Sequence, residues 1–168
     1  RFVFREASDV VAELTALSER VGFRQAFFWE SNLLLNARRH VLPILEALAS
    51  SGAPFSVQAP EGLQPDLVTP PLAALMRATG FRQIRLTQET TDPVLLSATG
   101  RPTDLSHLER AIRTLLDAGF AREDLSVVLL VGQPGQAVAG VLADVVRVYR
   151  LGVKVTFLDF DWDGLIPA

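Results

Sequence analysis

The chain has 168 residues, of which 49% are hydrophobic and 21% charged, the balance of one folded domain with a sizeable core and not of a disordered segment. A formal charge of −3 without a basic cluster argues against a nucleic-acid surface, and no apolar run approaches the roughly 18 residues that a membrane span needs. Zero cysteines exclude a disulfide framework and a thiolate metal site within these residues, and a cytoplasmic protein is expected.

The first helix is predicted from Ser8, as N-cap, to Arg20, with Val10, Val11, Leu14, Leu17 and Val21 on one face. A strand over Arg24–Trp29 follows and ends at Glu30-Ser31-Asn32. The second helix spans Ala37–Ser50, where Pro43 implies a kink or a start nearer His40. A short strand, Phe55–Ala59, gives way to Pro60-Glu61-Gly62. Thr69 caps the third helix with Pro70 at its first position, and this helix stops at Gly80.

The third strand, Arg82–Gln88, opens into Thr87, Gln88 and Glu89, and a short helix starts at once with Asp92 as N-cap and Pro93 at its first position. Asp104 caps the next helix, in which Leu108, Ile112, Leu115 and Leu116 recur at helical spacing. The fourth strand, Leu125–Val131, has no polar alternation and so is expected to be covered on both sides. It runs into Gly132-Gln133-Pro134-Gly135-Gln136; a helix over Ala137–Arg150 and a fifth strand over Lys154–Leu158 follow.

One repeat organises these elements: helix, glycine, strand. Gly22, Gly52, Gly80, Gly119 and Gly152 each end an amphipathic run and precede a β-rich one, as left-handed C-terminal helix residues do. Repeated βα units imply a parallel sheet with right-handed crossovers. Polar residues close every strand, whereas a doubly wound open sheet concentrates its ligand groups at one switch point. The expected fold is therefore an α/β partial barrel of the TIM type, five parallel βα units in a single domain over 1–168. Its first strand, around residues 24–29, would leave an unpaired edge inviting self-association.

The order of FFWESNLLLN, then PEGLQPDLVTPPLAALMRATGFRQIRLTQETTDPVLLSATGR, then DLSVVLLVGQPGQ resembles the radical S-adenosylmethionine (SAM) enzymes, in particular the branch often fused to a cobalamin-binding domain. The resemblance covers nearly the whole chain and implies the second to sixth strands of that family's barrel. It implies that Glu30 and Asn32 approach the methionine amine of SAM, and that Gln58 and Glu61 end the next strand. Gln88 and Glu89 would reach the ribose hydroxyls or the methionine end, and Arg101 would answer the carboxylate. Gly132 and Gln133 would give the adenosine a bare backbone to lie against. The activity implied is generation of a 5′-deoxyadenosyl radical acting on a small-molecule substrate.

One feature of the family is missing. Its [4Fe–4S] cluster is held by CxxxCxxC, and this chain has no cysteine. The opening RFVFREASDVVAEL reads like the interior of a longer protein, so the expectation is a fragment cut just downstream of the cluster loop, inactive alone. In the parent protein the cluster, and in this branch cobalamin, would be cofactors. The competing reading is a cluster-free scaffold that binds a small molecule or a partner.

Other constellations carry less. Asp159, Asp161, Asp163 and Gly164 imitate the start of a calcium loop or the strand-end aspartates of a phosphatase, and are read as a solvated strand exit. His40 and His107 are read as surface residues, since neither has a second metal-type ligand at helical spacing. Trp29 ends a strand and is read as core.

Overall fold

The computed structural model describes residues 5–52, 54–99 and 103–160. Its elements run α1 (Ala7–Val21), β1 (Gln25–Phe27), α2 (Val41–Ser51), β2 (Ser56–Gln58), α3 (Pro70–Ala78), β3 (Ile84–Glu89), α4 (Pro93–Thr99), α5 (Leu105–Asp117), β4 (Leu125–Val131), α6 (Val138–Arg150) and β5 (Lys154–Asp159). Single 3-10 turns precede α2, α3 and β4.

All strand pairings are parallel. β1 pairs with β2, and β3, β4 and β5 form a second sheet in sequence order. Two isolated parallel bridges, Val57 to Phe81 and Leu63 to Leu86, join the two sheets. Between those bridges the chain turns out at Pro60–Gly62 and returns, so that Leu63 N–H donates to Arg85 O (2.8 Å) and Thr87 N–H to Leu63 O (2.9 Å). Gly62 makes the return possible: its φ is +89°, and a Cβ there would lie 2.6 Å from Thr87 Cγ2. The sequential strand order is that of a βα array, without the reversal of a doubly wound sheet. Among the described residues the sheet does not close, because β1 pairs only with β2 and β5 only with β4.

The helices cover one face. α1 packs on α2, α2 on α3 and α3 on α5, while α6 lies over β4 and β5. Alternate strand residues point into that layer: Ala26, Val57, Leu86 and Val127 are all buried, matched across the ladders. They meet Val41, Leu45, Leu108, Ala111 and Leu115, each 0% exposed. Truncating such a side chain, Leu115→Ala for instance, costs about 2–5 kcal/mol through lost burial and the cavity left.

Local chemistry explains most boundaries. All five repeat glycines take positive φ and end their helices as expected. Pro43 falls in the first turn of α2, where it has no hydrogen bond to lose, because the helix starts at Val41. Asp104 forms a full capping box with His107. α1 departs from expectation: Glu6, not Ser8, is the N-cap, in extended conformation, and Asp9 sits in the first turn where the helix dipole favours an acid. β1 is shorter than expected, and Trp29 is 75% exposed instead of core, because it lies beyond the last ladder bond (Phe28 N–H to Gln58 O, 2.8 Å). β4 keeps its predicted bounds, with Leu125, Val127, Val128 and Leu129 buried. No helix among the described residues is long and apolar enough to cross a membrane.

Candidate functional site

Parallel strands deliver their C-terminal ends to one edge of the sheet, and that edge carries the polar exits. In strand order these are Glu30 and Asn32, then Gln58, then Gln88 and Glu89, then Gly132 and Gln133. Helix N-termini point to the same edge, since each helix runs back against its strand.

The most strained exit is that of β3. The ladder to β4 slips between Thr87 and Glu89, where Glu89 stands opposite Leu129 and Gln88 is the extra residue of a bulge. Glu89 takes φ +67°, a left-handed backbone that a carboxylate residue adopts at a cost of about 1–3 kcal/mol, and such outliers concentrate at functional sites. Gln88 is fully buried; its amide donates to Thr90 O (2.9 Å) and Thr103 O (3.1 Å), so it builds the turn instead of facing solvent.

The next residues are held from a distance. Thr90 Oγ1 donates to Asp144 Oδ2 (2.7 Å), and the Thr91 hydroxyl donates to Asp144 Oδ1. Arg147 Nη1 donates to Thr91 Oγ1 (2.8 Å) and to Asp144 Oδ1 (3.3 Å). Asp92 N–H donates to Thr90 Oγ1 (3.0 Å), and Asp92 Oδ1 accepts from Val94 N–H (2.8 Å), which starts α4 as predicted. Asp144 is 2% exposed and sits in α6 on the stripe of Val141, Val145 and Val148.

The exit of β4 holds itself. Gln136 Oε1 accepts from Gly132 N–H (2.9 Å) and Gln133 N–H (3.3 Å), while its Nε2 donates to Leu130 O (2.9 Å). Gly132 has φ +87°. Gln133 is 5% exposed, and its Nε2 has no protein partner.

At β1, Glu30 Oε2 lies 3.0 Å from His40 Nε2 at the start of α2. The His40 side chain is 12% exposed, which corrects the reading of it as a surface residue: the turn over Ala37–Arg39 folds it back onto the strand end. His107 instead belongs to the capping box of α5. Asn32 Oδ1 is buried without a partner. A groove of about 410 Å³ runs between α1 and β1, lined by Arg5, Leu14, Phe28, Trp29, Glu30 and His40. It takes in Glu30 but none of Asn32, Gln58, Glu89 or Gly132. Arg101, Asp161, Asp163 and Gly164 lie outside the described residues, and Asp159 ends β5 exposed.

Sequence reasoning missed the roles of His40, Asp144, Thr90, Thr91 and Arg147, and the part Gln136 plays in closing its own loop. Asp144 had a signal, a carboxylate on an otherwise apolar helix stripe. Gln136 stands four residues beyond Gly132 in a loop already singled out. Nothing in the sequence ties Thr90 to a residue 54 positions away.

Comparison with known proteins identifies the class of fold. The chain superposes on the radical SAM methyltransferase TsrM from Kitasatospora setae with a TM-score of 0.79 over 92% of its length, at 22% identity, in a structure with cobalamin and a [4Fe–4S] cluster bound. It is similar to coproporphyrinogen III oxidase (HemN) from Escherichia coli, a radical SAM enzyme, with a TM-score of 0.66 over 96% and 14% identity, and to methylornithine synthase (PylB) with 0.68 over 94% and 14% identity. The fold is that of the radical SAM enzymes, and TsrM brings the cobalamin-associated branch among the relatives in fold. The chain spans 29% of TsrM, 39% of HemN and 45% of PylB. No family model and no curated protein matches it.

Proposed function

We propose that this chain is the SAM-binding core of a radical SAM enzyme, a partial barrel of five βα units whose strand ends hold SAM against a small-molecule substrate. The observation that carries the reading is the bulged, left-handed Glu89 at the exit of β3, in a fold shared with radical SAM enzymes. From β1 to β4 are three inter-strand steps, roughly 14 Å at about 4.8 Å each. That span suits a ligand with an amino acid at one end and a nucleoside at the other.

The donor set fits SAM. Glu30 and the orphaned Asn32 Oδ1 supply a carboxylate and an amide oxygen to an ammonium. Gln58 and Glu89 accept from ribose hydroxyls, Gln88 keeps Glu89 in place from behind, and Arg101 answers the ligand carboxylate. Gly132 offers a backbone without a side chain, and the orphaned Gln133 Nε2 is a spare donor beside it. SAM, when bound beside a reducing cluster, is the source of a 5′-deoxyadenosyl radical.

The residues present do not fit the cluster itself. There is no cysteine in the chain, and no group of three or more potential metal ligands gathers among the described residues. In this reading cluster ligation, and the cobalamin binding of this branch, fall to residues other than those of this chain. The formal charge of −3 without a basic cluster argues against a nucleic-acid partner, and the open β1 edge is a site for self-association when nothing else covers it.

Titration of the intact protein with S-adenosylhomocysteine tests the site. Glu30→Gln and Glu89→Gln should each weaken binding about tenfold, the loss of one charge-assisted hydrogen bond. After anaerobic reconstitution with iron and sulfide, the intact protein should release 5′-deoxyadenosine while residues 1–168 alone release none. Production of 5′-deoxyadenosine by the 168-residue chain alone would overturn the assignment.

A further inference from the structure

We propose that Asp144 is a positioning residue for this site, a clamp on α6 that fixes Glu89 through Thr90 and Thr91. The inference rests on the SAM-site reading and adds to it the residue that sets the spacing between two of its walls.

A carboxylate that is 2% exposed is costly unless paired and hydrogen-bonded, and an apolar residue packs such a position at less expense. Asp144 lies on a valine stripe that would accept leucine. Yet both its oxygens are engaged, one by Thr90, the other by Thr91 and by Arg147 one helical turn on. Arg147 also reaches Thr91 directly, so carboxylate, guanidinium and two consecutive hydroxyls form a closed set.

The set has a consequence for geometry. Thr90 follows Glu89, the residue with φ +67°, and the two hydroxyl bonds pin the chain immediately after it. On the other side, α6 begins two residues after Gln136, so the helix bearing Asp144 is continuous with the Gly132–Gln136 loop. The clamp therefore joins the exits of β3 and β4 into one body. Through Thr90 and Thr91, Asp144 acts on a ligand at Glu89 by way of the backbone it holds.

A double-mutant cycle in the intact protein tests this, with S-adenosylhomocysteine as the titrant. Asp144→Leu should weaken binding about tenfold, about 1.4 kcal/mol, and Glu89→Gln should do the same. The double variant should be no weaker than either single one, because both changes remove the same contact. Asp144→Asn, which keeps one acceptor for the hydroxyls, should recover most of the loss. Multiplying losses, about a hundredfold in the double variant, would overturn the proposal, as would a full tenfold loss in Asp144→Asn. If Asp144→Leu does not fold, Thr90→Val and Thr91→Val take its place in the cycle.

Amide exchange without ligand separates this proposal from the reading beneath it. Asp144→Leu should speed exchange at residues 89–92; unchanged exchange there would overturn the clamp whether or not the ligand binds. A wild-type protein that ignores S-adenosylhomocysteine would sink the SAM reading instead, and exchange at residues 89–92 alone would then decide whether Asp144 holds Glu89.

Discussion

The β3 exit is held from outside, by a buried carboxylate on a helix 54 residues further on, whereas the β4 exit is held by its own fourth residue, Gln136. Both devices satisfy loop groups near the sheet edge, but they differ in kind. Gln136 closes a short ring that the local chain makes on its own. Asp144 closes only when β3, β4 and α6 are already stacked, so its loop is as ordered as the tertiary structure and no more. A strained residue such as Glu89 needs the second kind, since a local turn alone would let the backbone relax.

The largest expected effect comes from cutting the tertiary device. Asp144→Leu leaves two buried hydroxyls without their acceptor, while the half-exposed Arg147 can return to water. We expect a loss of about 3 kcal/mol, since each buried donor left unsatisfied costs about 1–3 kcal/mol. The melting temperature should fall roughly 6–12 °C. Urea unfolding measures it, and an unchanged midpoint would erase the distinction between the two loops.

Cutting the local device should cost less. Gln136→Ala frees Gly132 N–H, Gln133 N–H and the Leu130 carbonyl at a half-buried position where water can partly replace the amide. About 1 kcal/mol is expected, and exchange should quicken at Gly132 and Gln133 while residues 90–92 stay as they were. Quickening at both loops would mean that they are one unit with one support.

The same distinction decides how much was legible in the sequence. Features fixed within a few residues were readable: the glycine helix ends, the Pro93 and Pro70 helix starts, the Asp104 cap though not its reciprocal bond with His107, and β4, whose unbroken apolar run is buried along most of its length. The parallel, sequential order was readable too, because it follows from the repeat. Long-range features were not. Gln88 read as a ligand group, and its second role, an amide that braces the turn, had no signal, since only the folded chain brings Thr103 O beside it. Trp29 looked like core because nothing in its sequence neighbours says that the ladder stops one residue earlier. His40 looked exposed because the turn that folds it onto Glu30 has no pattern of its own.

The smallest effect expected concerns the support behind Gln88. Thr103 O accepts from Gln88, and the next residue, Asp104, caps α5. Its carboxylate accepts from Ser106 Oγ (2.7 Å) and His107 N–H (3.0 Å), with the His107 ring nitrogen 2.7 Å away. These bonds, the Ser106 hydroxyl foremost, hold its pKa well below the usual carboxylate range. A carboxyl that loses its proton more readily in the folded state stabilises the fold above its unfolded pKa, about 3.9, and that contribution disappears as the pH falls through the lowered folded value. Asp104→Asn keeps the cap oxygen and removes the charge. Wild type should therefore be slightly the more stable at neutral pH, and the gap should narrow as the pH drops below about 4. Because the group is solvent-facing, added salt should shrink the gap as well. Unfolding of both proteins between neutral and acid pH checks this. A gap that widened toward acid would mean that the cap draws nothing from its charge, leaving the turn beneath Gln88 to neutral hydrogen bonds, as in the Gln136 loop.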